Sequence, residues 1–195
     1  MEMRISGKVL GSVSNKEFCE RCFWIMMHYK LPYQIFPGIF SSIDNYTKKL
    51  IEEYFYKNKK LPGWLEKVGT VKRVYKNTSE LIDNKLDEKI KFSIKYKNVL
   101  LKGIPNAIFE EKDNRIIIFN YKTARYTEGQ DKLLSIYKVQ LNAYAYIIEK
   151  LELGTVSSLY LVYFEPPEKS DFQKLSEKYT TNEGLKCHLN QIYIK

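Results

Sequence analysis

Two histidines, three cysteines and only five arginines among 32 basic residues set the first limits on this 195-residue chain. A Ser/His/Asp relay has no credible footing, because His28 merely follows the apolar Trp24-Ile-Met-Met segment and His188 stands beside Cys187 near the end. No glycine-rich loop of the kind that cradles phosphate is present. An odd number of cysteines with no secretory pattern ahead of them points to a reducing, intracellular and cytoplasmic setting rather than a disulfide scaffold. Apolar runs such as Cys22–Met27 stop far short of the ~18 residues a membrane span needs, and the N-terminus lacks a charged-then-apolar leader, so no membrane partner is expected.

What remains is a folded chain. It is 44% apolar, with 16 Tyr and 10 Phe, which is too much for disorder. At roughly 100–200 residues per domain, residues 1–195 are expected to form one domain. The net charge of +9 is mostly lysine, compatible either with simple solubility or with a polyanionic partner such as nucleic acid.

Periodicity places the elements. A capping box from Ser14 to Glu17 opens a helix in which Phe18, Cys22, Ile25 and Met26 recur at helical spacing to about Tyr29. Pro32 and Pro37 interrupt, and Ile43, Tyr46, Leu50, Ile51, Tyr54 and Phe55 define a second helix. Lys57 to Gly63 reads as an exposed basic connection. From Lys89 the period becomes two: Phe92, Ile94 and Tyr96 alternate, Lys97-Asn98 turns the chain, and Val99 to Phe109 and Arg115 to Lys122 read as further strands of an antiparallel meander. A long amphipathic helix follows, with Leu133, Ile136, Tyr137, Leu141, Tyr144, Ile147, Ile148 and Leu151 on or near one face, closed by Gly154. A buried strand, Val156 to Phe164, ends at Pro166 and Pro167. A last strand at Gln191 to Ile194 closes a mostly polar tail. The fold class is α/β, a central mixed sheet flanked by helices.

The densest chemistry lies in Gly103-Ile-Pro-Asn106 and Asn120-Tyr-Lys122. With Lys112-Asp113-Asn114 as a three-residue hairpin loop and Asn114 at its positive-φ position, opposed residue numbers sum to about 226. Asn106 then faces Asn120. Alternation puts Ile104, Asn106 and Ile108 on one face, beside Ile116, Ile118, Asn120 and Lys122, so three polar groups converge at one end of an apolar hairpin.

On these residues the chain resembles the PD-(D/E)XK nuclease superfamily, in particular its RecB-like branch, which includes the CRISPR-associated RecB-like exonucleases. Ser12-Val-Ser14 and Phe18-Cys-Glu-Arg-Cys-Phe-Trp24 look like that branch's N-terminal segment. Pro105-Asn106 stands at the PD position, Asn120-Tyr-Lys122 at the (D/E)XK position, and Gln140 with Tyr144 at the QxxxY position. The likeness spans about residues 9–165 and implies a restriction-endonuclease-like core. It also implies a site of Asn106, Asn120, Lys122, Gln140 and Tyr144, with Mg²⁺ or Mn²⁺ held at the first two positions and the lysine orienting water or offsetting transition-state charge. Asp44 stands where the family often adds a ligand, with Glu52 and Glu53 as competitors on the same helix; an acid favoured by the helix dipole is the plainer account of Asp44.

The departure is chemical. Mg²⁺ is hard and is usually held by one or two charged oxygens. Both acid positions here are Asn, so two negative charges are missing beside a lysine, and the two amides can hydrogen-bond to each other. Glu110 shares the Asn106 face but lies about 13 Å along the strand at ~3.3 Å per residue, too far to substitute. The expected function is a nucleic-acid-binding protein, for DNA above all, with a weakened or inactive metal site. Two alternatives stand: a working Mg²⁺- or Mn²⁺-dependent DNA nuclease, or one inactivated by substitution at these positions; and a protein-interaction module that keeps only the fold. Protein partners are left open.

Secondary signals have plainer readings. Cys19-x-x-Cys22 falls short of the four thiolates of an iron–sulfur cluster, and zinc held with Cys187 and His188 is disfavoured against buried cysteines packed under Phe23 and Trp24. His28 is expected to be a partly buried structural histidine rather than a base. Most tyrosines, among them Tyr54 and Tyr144, are expected in the core rather than stacked on bases.

Overall fold

A computed structural model describes residues 2–29, 38–75, 92–123, 133–165, 186–192 and 194. Pro32, Pro37, Lys89, Pro166, Pro167 and the polar tail up to residue 185 lie outside the described residues. In chain order the elements are β1 (Met3–Ser6), α1 (Gly7–Ser12), α2 (Glu20–His28), α3 (Gly38–Asn58), a 3-10 turn (Gly63–Val68), β2 (Val71–Tyr75), β3 (Ser93–Tyr96), β4 (Val99–Lys102), β5 (Ala107–Glu111), β6 (Ile116–Thr123), α4 (Leu134–Lys150), β7 (Val156–Glu165) and β8 (Lys186–Ile192).

Two sheets result. Strands β2-β5-β6-β7-β8 form a five-stranded mixed sheet in which only β6 and β7 run parallel, and β1-β4-β3 form a smaller one in which β1 runs parallel to β4. The mixed α/β class therefore holds. The expected continuous meander does not: β4 and β5, read from sequence as one strand from Val99 to Phe109, belong to different sheets. The break at Gly103–Asn106 has two causes. Pro105 has no amide to donate to a ladder. Gly103 lies so close to Tyr144 that a Cβ built there would overlap the ring. Ile104, expected to share the strand's inner face, is consequently 73% exposed.

Strand β6 is buried along Ile116–Tyr121 because its alternating residues feed two cores. Ile116 and Ile118 pack with Leu141, Tyr144, Ile147 and Ile148 of α4, while Ile117, Phe119 and Tyr121 pack with Ile51 and Phe55 of α3 and with Leu65 and Val68 of the 3-10 turn. At ~1.5–3 kcal/mol for each fully buried large apolar side chain, these faces fix the register of β6, since a one-residue slip would exchange the two cores. Helices thus flank the sheet on both sides.

The N-terminal region differs from its reading. The capping box does not form. The Ser14 hydroxyl donates to the Gly11 carbonyl, the Glu17 amide donates to the Asn15 side chain, and helix α2 starts later, capped by the Cys19 sulfur. No α2 residue is buried, and Cys19, Cys22 and His28 are all exposed, so neither the buried cysteines nor the partly buried histidine is found. His28 stacks on Trp24, with Nδ1 2.8 Å from the Trp24 carbonyl oxygen. On α3 the buried stripe is Thr47, Ile51 and Phe55, while Tyr46 is exposed. The connection after Lys57 is exposed only to Lys60; Leu61 and Pro62 are buried. Strand β8 starts at Lys186, earlier than expected, and ends at Ile192, paired antiparallel with β7.

Candidate functional site

The β5–β6 hairpin has the register read from its sequence. Asn114 adopts φ 64°, and Ala107, Ile108 and Phe109 lie opposite Phe119, Ile118 and Ile117. Asn106 precedes the first paired residue. Its amide donates to the Phe119 carbonyl at 3.1 Å, and its side-chain oxygen accepts from the Tyr121 amide at 3.0 Å. That carboxamide completes the strand edge where β5 has stopped.

Asn120 takes a different direction. It is buried and projects from β6 toward α4, where Nδ2 donates to Gln140 Oε1 at 3.3 Å. Gln140 Nε2 in turn donates to the Tyr144 hydroxyl oxygen at 2.6 Å. Gln140 and Tyr144 meet because residues four apart share a helix face. Tyr144 is further fixed by close approach of two glycines: a Cβ on Gly7 would stand 2.9 Å from its ring, and one on Gly103 would overlap it. Burial raises the Tyr144 hydroxyl above its ordinary pKa, partly offset by the Gln140 hydrogen bond, so the phenol stays protonated at neutral pH. Among the described residues the Asn106 and Asn120 amides are not bonded to each other; each has the separate partner just given.

Lys122, two residues on and on the same side, places Nζ 4.4 Å from the centre of the Tyr137 ring of α4, a cation–π contact. Thr123 points the opposite way, toward α3, and its hydroxyl donates to Asp44 Oδ1 at 3.4 Å. Burial pushes the Asp44 carboxyl up, against the lowering effects of the Thr123 bond and of the Lys48 and Lys122 charges. Asp44 is the seventh residue of α3, beyond the first turn where the helix dipole acts, so the dipole does not account for it. Glu53 is exposed on the same helix. Glu110 is buried but serves the other end of the hairpin, accepting from the Tyr75 hydroxyl and pairing with Lys72 at 3.5 Å.

The candidates therefore divide. Asn120, Gln140 and Tyr144 form one buried chain, Lys122 lies beside it on Tyr137, Asn106 serves the backbone, and Asp44 reaches β6 from the opposite face. This donor set does not fit Mg²⁺ or Mn²⁺. It offers one carboxylate, set apart from two neutral amides that are already engaged, and among the described residues no group of three or more His, Cys, Asp or Glu is arranged to hold a metal. The side chains of Cys187 and His188, the expected partners of Cys19 and Cys22 in a zinc site, lie outside the described residues. Sequence reasoning missed Tyr137 and Thr123. Tyr137 sits three residues before Gln140, one turn away on the same face, which is the signal that marks it.

A sheet with helices on both faces, a hairpin carrying the two motif positions and a following helix carrying Gln140 and Tyr144 define a restriction-endonuclease-like core. Residues 42–193 match the family profile of the PD-(D/E)XK nuclease superfamily, and the chain belongs to that superfamily, in its RecB-like branch. Similar proteins include an ATP-dependent helicase/nuclease subunit of Clostridium novyi (strain NT), 38% identical over 68 residues, covering 34% of this chain and 5% of that protein. The protein of the same name from Clostridium perfringens (strain SM101 / Type A) is 31% identical over 118 residues, covering 56% of this chain and 9% of that protein. The matched regions span less than a tenth of these relatives. Among the described residues no helix is long and apolar enough to cross a membrane.

Proposed function

We infer that this chain is a RecB-like nuclease-fold protein that binds DNA and no longer assembles a cleaving metal centre. The observation that carries the reading is the use of Asn106 and Asn120, at the two acid positions of the family, as internal hydrogen-bonding groups. Two carboxylates would repel each other and draw in a divalent cation; two amides do neither. Lys122 then has no metal-bound water to orient and serves as a phosphate contact, held by Tyr137. The net charge of +9 and the helicase/nuclease names of the relatives support a nucleic-acid partner.

The test compares the chain with its Asn106→Asp/Asn120→Asp variant on labelled single- and double-stranded DNA, with Mg²⁺ or Mn²⁺. The expected result is salt-sensitive binding without cleavage by the parent chain, and cleavage by the double variant. Cleavage by the parent at a rate near that of the variant overturns the reading. Absence of salt-sensitive binding in both favours a protein-interaction role. One observation favours a second reading, a residual Mn²⁺-dependent nuclease: Asp44 remains at the end of β6 within the field of Lys122. In that case Asp44→Asn abolishes the cleavage seen with the parent chain.

A further inference from the structure

Cysteine is rare in this chain, yet two of its three cysteines stand three residues apart at the start of one helix. Cys19 is the N-cap of α2, and its sulfur accepts the Cys22 amide at 3.2 Å. That bond brings the Cys19 sulfur to the backbone of Cys22, on the first turn from which the Cys22 side chain also projects. Both side chains are exposed. Neither belongs to a cluster arranged for metal among the described residues, and α2 buries nothing that would shield them.

We propose that Cys19 and Cys22 form a redox-active dithiol that exchanges with small-molecule disulfides and closes to a disulfide across the first turn of α2. The two sulfurs have unequal roles. Donation from the Cys22 thiol, then from the Cys22 amide, holds the Cys19 thiol below its ordinary pKa, with Arg21 adding to the effect, while the same contact pushes Cys22 up. Cys19 is therefore the attacking thiolate and Cys22 the resolving thiol. In the first step the Cys19 thiolate attacks one sulfur of a disulfide R–S–S–R, forming a Cys19–S–S–R bond and expelling one RS⁻. In the second, Cys22 loses its proton and attacks the Cys19 sulfur, forming the Cys19–Cys22 bond and expelling the second RS⁻. The protein loses two electrons and two protons, and the small disulfide leaves as two thiols.

The sequence supplies a clean readout. Trypsin cuts after Lys16, Arg21, Lys30 and Lys186, so Cys19, Cys22 and Cys187 fall in the separate peptides Glu17–Arg21, Cys22–Lys30 and Cys187–Lys195. The chain is incubated at neutral pH with oxidised glutathione, blocked with an alkylating agent, digested and weighed. The expected product is Glu17–Arg21 joined by a disulfide to Cys22–Lys30, released by reductant. Cys22→Ser should stop at glutathione attached to Cys19, and Cys19→Ser should react more slowly, because the backbone amide that assists a thiolate in this turn donates to the sulfur of residue 19 and not to that of residue 22. Serine is a good N-cap, so Cys19→Ser keeps the start of the helix and the comparison stays free of unfolding. Both thiols remaining fully alkylated, Cys19 crossing instead to Cys187–Lys195, or equal rates for the two serine variants would each overturn the proposal.

Discussion

The side-chain oxygen of Asn106 accepts the backbone amide of Tyr121 at 3.0 Å, just past the last residue pair of the β5–β6 ladder. A residue that the family resemblance puts at a metal-ligand position thus supports the strand that carries Asn120. Asn106→Ala leaves that amide without its acceptor and is expected to cost about 1–2 kcal/mol. Asn106→Asp keeps an acceptor in place, with a charge-assisted bond, and is expected to leave stability near that of the parent. Urea unfolding at neutral pH distinguishes them; equal losses would show that the acceptor is immaterial.

Asn120, Gln140 and Tyr144 behave as one unit because the middle residue donates and accepts. Tyr144→Phe removes the oxygen that takes the Gln140 Nε2 proton inside the core, with an expected loss of about 1–3 kcal/mol. Gln140→Leu removes the donor of that bond and, with it, the acceptor of the Asn120 amide. If the coupling is real, adding Tyr144→Phe to Gln140→Leu costs clearly less than Tyr144→Phe does alone. Additive losses in a thermodynamic cycle would contradict it.

Local chemistry was readable where one short segment decides the outcome. The hairpin register follows from Asn114 in its turn, and the two-core alternation of β6 follows from its apolar pattern. What escaped reading was set by contacts distant in sequence. Helix α1 carries Gly7 and Gly11, poor helix formers, and exists because those glycines let it lie against the Gln140 and Ile136 carbonyls of α4. Strands β1 and β2 are too short to show a period. Strand β8 alternates Lys186, His188 and Asn190 with Cys187 and Leu189, but over too short a run to stand out from the polar tail before it. At the candidate site the register that brings residues 106 and 120 alongside was legible, but the partners of the two amides and the face from which Asp44 approaches were not, because alternation on β6 separates Asn120 from Thr123.

The switch of sheets at Gly103 is testable by adding one methyl group. Gly103→Ala drives a Cβ into the Tyr144 ring and is expected to destabilise by about 1–3 kcal/mol, with Gln140 losing its acceptor as the ring moves. Gly63→Ala is the control, since a Cβ there meets nothing within 4 Å, and it should change stability by less than about 0.5 kcal/mol. Thermal unfolding of both variants measures the contrast.

Helix α4 does not end on Gly154, as its sequence suggested. The Glu152 amide donates to the Glu149 carbonyl and the Leu153 amide to the Ile148 carbonyl, each at 3.0 Å, forming a Schellman motif whose left-handed residue is Glu152 at φ 55°. A side chain at that angle is unfavourable, and glycine relieves it. Glu152→Gly is expected to stabilise the chain by about 0.5–1 kcal/mol, unusual for a glycine introduced beside a helix. A lower unfolding midpoint would show that the Glu152 side chain contributes more than its backbone angle costs.

Asp44 makes stability depend on pH in a direction opposite to that of most carboxylates. Burial raises its folded-state pKa above the unfolded value, so the native state holds the proton more tightly. The resulting stability is fully present below the unfolded value of about 3.9 and is lost as pH rises through the folded value. Asp44→Asn retains an oxygen for the Thr123 hydroxyl and removes the titration. The variant is therefore expected to unfold at higher urea than the parent near pH 7, with the gap closing toward pH 3.5. Subtracting the two pH profiles isolates this one group from the other carboxylates. A gap that is constant across that range would mean Asp44 does not titrate in the window, and a gap of opposite sign at pH 7 would mean that attraction to Lys48 and Lys122 outweighs its burial.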